Sequence, residues 1–190
     1  IWGENKQIMK KNKLGIRLIC YFGGFLIMTM GIALSVKSNL GVSPVSSIPY
    51  TMTCVWGIEM GKATILFHIV LVLLQMLLLR RKFKMSSMLQ VIIGVIFGYF
   101  TTFCNYLAIF LPTPELLSVR LFMSWFSTVL VAFGIFFYVP ANLVPLAGEG
   151  MMLAIANKFH KPFPKVKVAF DVTMVLVSLV TCLTMMHSLG

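Results

Sequence analysis

The stretch that decides the fold is Gly31–Pro44, GIALSVKSNLGVSP, together with Gly134–Ala147, GIFFYVPANLVPLA, which follows 103 residues later. At this spacing the second half of the chain repeats the first without a gap. The matched pairs are Gly31 and Gly134, Val36 and Val139, Asn39 and Asn142, Leu40 and Leu143, Lys62 and Lys165, and Phe67 and Phe170. Matched Gly, Pro and polar interruptions of repeated apolar segments are the usual indication of a transporter's binding site.

Composition defines the broad class. Hydrophobic residues make up 59% of the 190 residues and charged residues 11%, and the mean hydropathy is +0.95. A soluble domain has roughly 45–50% apolar and about 25% charged residues. The longest apolar stretches have the ~20 residues that a helix needs to span a bilayer, which β-barrel strands of ~10 alternating residues would not give. We therefore predict an all-α polytopic membrane protein.

Five full spans are predicted, with ends placed to within about 2–4 residues. They are Leu14–Val36, Ala63–Leu79, Met85–Leu111, Val119–Val139 and Val166–Met186. The first is a resident helix and not a signal peptide, because it is too long for an h-region and lacks a small-residue cleavage site.

Orientation follows from the basic residues. With a cytoplasmic N-terminus, only Lys37, Lys62 and Arg120 of the 16 Lys and Arg residues lie outside, which satisfies the positive-inside rule. The net charge of +11 therefore reflects topology. We expect no nucleic-acid partner, because the charges flank helices and do not form one basic face.

The two copies enter the membrane from opposite sides, at Leu14 and at Val119, so we predict inverted-topology repeats of about three helices each, related by a pseudo-two-fold axis in the membrane plane. They form a single transmembrane domain over residues 1–190, with repeat 1 at about 14–111 and repeat 2 at about 119–190. Shifting the third span by the repeat spacing predicts a sixth helix at about 188–214. We expect the natural protein to continue through this missing last helix.

A short apolar segment follows the interruption in each copy, Val45–Trp56 in the first and Met151–Ala156 in the second. At ~1.5 Å per residue such a helix crosses only about half of the bilayer. Ser43 suits the N-cap and Pro44 the first helical position. Irregular backbone at membrane depth needs protein or a water-filled cavity around it. We predict two re-entrant half-helices whose preceding segments face one another near the membrane centre.

A half-helix N-terminus presents unpaired N–H groups and a partial positive charge, which suit an anionic group. The substrate-binding candidates are Asn39, Ser43, Ser46, Ser47, Asn142 and Glu149. The serine hydroxyls complete such a site, and Asn39 orients a carboxylate or phosphate. The alternative is that the hydroxyls only cap a structural helix.

Three ionisable residues are candidates for coupling: Glu149, Asp171 and His68. An ionisable side chain in a span costs roughly 2.5–3.5 kcal/mol, which suggests use as a proton or cation site. We expect Glu149 in the first turn of the second half-helix, and the alternatives to coupling are that it compensates the helix dipole or lies in the inner headgroup region. His68 and Asp171 match at the repeat spacing. His68 is alternatively hydrogen-bonded to a neighbour, and Lys167 lies one turn from Asp171 and partly neutralises it.

Other motifs are weaker. Gly94 and Gly98 form a GxxxG, which indicates close packing within the chain or, less often, a homodimer face. The four cysteines show no metal-binding spacing, so we expect neither a metal site nor a cofactor. No Walker A, GxSxG or HExxH motif occurs, and we do not expect an enzyme.

The motif Asn39-Leu-Gly-Val-Ser-Pro44, within Gly31–Pro44 of a basic-tailed protein of this size, resembles the YczE/YyaS/YitT group of bacterial integral membrane proteins. The resemblance implies a multi-pass protein of the bacterial plasma membrane with a six-helix plan. It names no substrate.

These observations predict a small secondary transporter that moves a small polar or anionic solute past a midplane site between the two re-entrant segments. Two alternatives stay open. One is a substrate-binding membrane subunit of an ATP-driven uptake system, and the other is a non-transporting accessory or lipid-handling protein. The expected partners are the lipid bilayer and the solute.

Overall fold

The computed structural model describes residues 14–80, 85–112 and 114–186. The basic residues up to Lys13 and those at 81–84, which entered the charge count above, lie outside them. The described residues form seven helices and no strand. The helices are α1 (Leu14–Ser38), α2 (Pro44–Trp56), α3 (Met60–Leu79), α4 (Leu89–Ile109), α5 (Leu117–Ala141), α6 (Ala147–Phe159) and α7 (Phe163–Met186).

Five of these helices, α1, α3, α4, α5 and α7, are long and apolar enough to cross a membrane by length and composition. For the described residues, the prediction of an all-α chain with five helices of membrane-spanning length is therefore confirmed. α3 and α7 begin three residues before the predicted spans, because Lys62 and Lys165 lie in their first turns and were excluded from the apolar stretches. A single 3₁₀ turn, Met85–Met88, precedes α4 and accounts for the early start predicted there.

The helix bounds follow the sequence repeat. α5 begins and ends 103 residues after α1, α6 begins and ends 103 residues after α2, and α7 begins 103 residues after α3. The short helices α2 and α6 are both 13 residues long. The spacing seen in the sequence thus fixes where each helix of the second copy starts.

The contacts divide the chain into two compact units, and each unit takes residues from both copies. The first contains the described residues up to Gly41 together with Phe103–Leu143, and the second contains Val42–Thr102 together with the described residues from Val144 onward. That the whole chain acts as one transmembrane domain stays a prediction.

In the first unit, α1 packs against α5 through small residues. A Cβ atom added to Gly24 would lie 2.8 Å from the carbonyl oxygen of Gly134, and one added to Gly31 would lie 2.9 Å from that of Ser127. The Ser127 hydroxyl donates a 2.7 Å hydrogen bond to the Gly31 carbonyl. Small residues let two helix backbones approach this closely.

In the second unit, both short helices contribute to one apolar core with α3 and α7. The buried members of this core are Phe67, Leu71, Val72, Ala147, Met152, Ala156, Val166 and Phe170. Val45 and Ile48 of α2 pack against it. The core therefore holds the beginnings of α2 and α6 in the same part of the unit.

The GxxxG of α4 packs against α3 within the chain. A Cβ atom on Gly98 would lie 2.8 Å from the Gly61 carbonyl oxygen, and one on Gly94 would lie 2.8 Å from the Cβ atom of His68. Close packing within the chain, the first of the two interpretations, is observed. A homodimer through Gly94 and Gly98 stays a prediction.

Candidate solute site at the two short helices

The first turn of α2 is rich in hydroxyl groups. The helix begins at Pro44 with Ser43 in extended backbone at the N-cap, as predicted. The Ser43 hydroxyl donates to the Ser46 hydroxyl at 3.0 Å, and the Ser47 hydroxyl donates to the Pro44 carbonyl at 2.6 Å. Ser46 is buried, whereas Ser43 is exposed. The three hydroxyls therefore bond locally in the first turn.

A row of polar contacts joins α2 to α7. The Ser47 hydroxyl is 3.4 Å from the Met174 carbonyl oxygen. One turn further on, the hydroxyl oxygens of Thr51 and Ser178 are 2.6 Å apart, and Cys182 Sγ lies 3.8 Å from Thr51 Oγ1. These contacts satisfy polar groups inside an otherwise apolar unit. They fix the face of α2 that carries Ser47.

The first turn of α6 carries the carboxylate of Glu149, as predicted, and this side chain is half-buried. The helix begins at Ala147, four residues before the apolar segment Met151–Ala156. Gly150 in this turn packs closely, and an added Cβ atom would lie 2.5 Å from the Gln90 amide nitrogen. Tertiary contact stabilises a helical turn that two glycines disfavour.

A pair of buried amides supports the start of α6. Gln75 Nε2 donates to Gln90 Oε1 and to the Ala147 carbonyl, both at 3.0 Å. The sequence reasoning missed both glutamines. The available signal was that Gln75 and Ser178 are polar residues at matched positions of two apolar spans. Each supports the short helix beside it.

The first turns of α2 and α6 approach one another. A Cβ atom on Gly148 would lie 3.6 Å from Val45 Cγ1. The Ser43 side chain makes no cap hydrogen bond to α2. The N-cap residue of α6 is Leu146, whose side chain has no hydrogen-bond acceptor. First-turn N–H groups of two helices, three hydroxyls and one carboxylate are therefore collected in one part of the second unit. Such a group can hold an anion and a cation or proton side by side.

Asn39 and Asn142 belong to the first unit. Each has a left-handed backbone conformation, with φ of 52° and 46°, directly after α1 and α5. Asparagine tolerates this conformation better than most residues. Both side chains are exposed. Geometry assigns the two asparagines to helix ends, and their predicted contact with a solute stays a prediction.

Two arginines donate hydrogen bonds to the backbone carbonyls at the ends of α1 and α5, where the two asparagines lie. Arg17 Nη2 donates to the carbonyls of Ala141 and the following asparagine, at 2.8 and 3.2 Å. Arg120 Nε donates to the Ser38 carbonyl at 2.9 Å, and its Nη2 donates to the carbonyl of the next asparagine. α1 and α5 are therefore antiparallel. The sequence reasoning counted both arginines only as topology signals, although they lie 103 residues apart.

The remaining coupling candidates have different surroundings. His68 is 4% exposed, and its ring lies 5.6 Å from that of Phe97. Asp171 Oδ2 lies 3.0 Å from Lys167 Nζ, which is the neutralisation expected from their spacing. His68 thus sits among apolar groups, and Asp171 sits in an ion pair. A role in coupling stays a prediction for both residues.

The architecture defines a multi-pass α-helical membrane protein. The chain belongs to the family described as "Family of unknown function (DUF6198)", which matches residues 15–190. It is similar to the "Uncharacterized membrane protein YczE" of Bacillus subtilis (strain 168), with 26% identity over 149 residues that cover 78% of this chain and 66% of that protein. The aligned part thus spans just under two-thirds of the relative. No solved structure matches the chain. The resemblance to the YczE group is confirmed.

Proposed function

We propose that this chain is a small secondary transporter that binds a small polar or anionic solute where α2 and α6 begin. The observation that carries the proposal is the approach of Val45 to Gly148, the first-turn residues of the two short helices. Transporter sites are commonly formed by paired discontinuous helices whose N-termini point at the substrate. The approach brings two such N-termini together.

The topology supports a position near the membrane centre. α2 follows the span α1, and α6 follows the span α5, and in the charge-based topology these spans end on opposite sides of the membrane. The first turns of α2 and α6 can therefore meet only if the connecting residues 39–43 and 142–146 both run into the membrane. Each short helix is ~20 Å long by helical rise, against a hydrocarbon core of ~30 Å. Each helix can therefore return to the side from which its segment entered.

The chemistry of the two helix starts supports a polar or anionic solute. The start of α2 has hydroxyls and no acidic residue, so its N–H groups and dipole favour a negative or strongly polar group. The start of α6 has Glu149, which favours a proton, a metal cation or an amine. A solute and a coupling ion could then occupy neighbouring positions.

Arg17 of α1 binds the end of α5, and Arg120 of α5 binds the end of α1. These reciprocal contacts support the inverted-repeat plan, because each copy makes the same contact to the other. From the distribution of basic residues we also propose a cytoplasmic N-terminus, and from the resemblance to the YczE group a location in the bacterial plasma membrane. A substrate-binding subunit of an ATP-driven system and a non-transporting accessory protein remain the alternatives. Co-purification of an ATPase pair would favour the first, and a dispensable Glu149 and serine cluster would favour the second.

A thermal-shift screen tests the proposal. The purified chain is exposed to libraries of amino acids, organic acids, sugars and phosphate esters, because a bound solute stabilises by RT ln(1 + [L]/Kd). A genuine ligand should stabilise the wild type and fail to stabilise Gly148→Leu, whose side chain would fill the space beside Val45. Lys37→Ala, in the last turn of α1, is the control and should respond like the wild type. Equal stabilisation of Gly148→Leu would place the ligand elsewhere.

Hits then enter proteoliposome uptake measurements with and without a proton gradient. Accumulation that depends on the gradient is the expected result. Binding without any uptake would contradict the transporter and favour a binding subunit.

A further inference from the structure

A groove of about 410 Å³ lies in the second unit, between α3, α6 and α7. Leu74, Ile155, Phe170 and Met174 form much of its wall, and Lys161 and Lys165 also line it. Lys161 follows the end of α6, and Lys165 lies in the first turn of α7. The basic residues therefore lie in and directly after the α6–α7 connection, and the apolar wall extends from there along α7.

The wall offers little to a polar ligand. Thr173 also lines the groove, but its hydroxyl donates to the Ala169 carbonyl at 2.8 Å, as is usual within a helix. The side that faces the groove therefore presents aliphatic and aromatic groups. Such a surface suits a hydrocarbon chain better than a hydrophilic solute.

The length of the groove matches one leaflet. Lys165 and Met174 are nine residues apart on α7, which corresponds to ~13 Å of helix. Half of a ~30 Å hydrocarbon core is ~15 Å. A lipid whose headgroup lies at the lysines would place its acyl chain along the apolar wall.

The charge at the headgroup end is available for a ligand. Lys167 is paired with Asp171 at 3.0 Å, and Lys158 donates to the Leu78 carbonyl at 2.8 Å. Among the residues that the structure describes, no carboxylate pairs with Lys161 or Lys165. Two uncompensated cations next to a leaflet-long apolar groove are complementary to a phosphate that carries an acyl chain.

We propose that this groove binds an anionic glycerophospholipid, with its phosphate at Lys161 and Lys165 and an acyl chain along α7. The site does not depend on the solute site at the beginnings of α2 and α6. It would hold the lipid in the leaflet at which the α6–α7 connection lies.

Lipid titration of the purified chain by native mass spectrometry tests this proposal. Phosphatidylglycerol should bind more tightly than phosphatidylcholine with the same acyl chains. The double variant Lys161→Gln with Lys165→Gln should lose about 25-fold in phosphatidylglycerol affinity, because each lysine near an anionic lipid surface contributes about fivefold. Its phosphatidylcholine affinity should not change. The control, Lys37→Gln with Lys62→Gln, removes the same charge elsewhere and should bind both lipids like the wild type.

A second variant tests the groove without changing charge. Ala169→Phe, which fills the apolar wall, should weaken both lipids severalfold and remains informative if the lysine variant fails to fold. Millimolar inorganic phosphate should not displace phosphatidylglycerol. The proposal is overturned if the control loses as much affinity as the lysine variant, if Ala169→Phe binds both lipids normally, or if inorganic phosphate competes.

Discussion

Arg17 and Arg120 make the same contact in opposite directions across the α1–α5 pair. Each guanidinium donates to the last carbonyls of the other helix, and the two arginines occupy matched positions in the repeat. Helix C-termini carry unpaired carbonyls and a partial negative charge, so a cation that also donates hydrogen bonds is well suited to them. The same arginine-to-carbonyl contact, made once by each copy, joins α1 to α5 in the first unit.

Replacing either arginine should therefore destabilise the protein to a similar extent. We expect Arg17→Ala and Arg120→Ala each to lower the free energy of unfolding by about 1.5–3 kcal/mol, the range for hydrogen bonds to charged groups. Lysine should restore only part of this, because its single ammonium cannot reproduce the planar fork. Denaturant unfolding in detergent measures the effect, with Lys37→Ala as the control. Full rescue by lysine would contradict the bidentate contact.

Adjacent glycines in α1 should respond oppositely to alanine. A Cβ atom on Gly24 would meet the backbone of α5 at 2.8 Å, whereas one on Gly23 meets nothing within 4 Å. We expect Gly24→Ala to cost about 1–3 kcal/mol by overpacking, and Gly23→Ala to be neutral or to stabilise by up to about 1 kcal/mol through helix propensity. Paired thermal melts compare them. Equal stability of the two variants would mean that α1 and α5 are not this close.

The extent to which the sequence predicted these structures depends on the kind of signal. The apolar stretches and the Ser43–Pro44 pair predicted α2 to its first residue, because the preference of serine for the N-cap position and of proline for the first helical position are local signals, even though the Ser43 side chain makes no cap hydrogen bond. The start of α6 at Ala147 lies before its apolar segment, where Gly148 and Gly150 disfavour a helix and where Gln90 packs against Gly150. Local rules cannot predict such a long-range contact.

The arginine contacts show a second limit. Every residue carries a backbone carbonyl, so the sequence does not show which carbonyls an arginine binds. Arg17 and Arg120 were therefore interpreted only as charges. Their 103-residue separation was visible and would have linked them to the helix ends at matched positions. Repeat symmetry was therefore a stronger guide to contacts than residue type.

The two helix starts should have different functions in solute binding. Once a ligand is found, Ser47→Ala should weaken it by about 1 kcal/mol, or roughly fivefold, for one lost hydrogen bond. Glu149→Gln should keep the affinity for a neutral or anionic solute and abolish its dependence on pH. Glu59→Gln, at the start of α3, is the matched carboxylate control. If Glu149→Gln leaves both affinity and pH response unchanged, Glu149 is only a helix cap.

Membrane topology can be measured with single cysteines in a background without the four native ones. Cysteines at Arg80 and Lys161 should react with a membrane-impermeant thiol reagent only after permeabilisation, and one at Glu115 should react in intact cells. A cysteine at Ala33, which is fully buried, should stay unlabelled throughout. Labelling of positions 80 and 161 from opposite sides would exclude the inverted-repeat plan.

Disulfide cross-linking of Val45→Cys with Gly148→Cys tests most directly whether α2 and α6 meet at their first turns. Val45 Cγ1, which marks where a cysteine sulfur at this position would lie, is 3.6 Å from a Cβ atom on Gly148, so a second sulfur on that Cβ atom lies within bonding reach after a small adjustment. A protease site in the α4–α5 connection divides the chain after oxidation in native membranes. We predict that the two fragments stay joined until a reductant is added, and that Val45→Cys with Lys161→Cys does not join them. Fragments that separate without reductant would contradict the meeting of the two short helices and the solute site built on it.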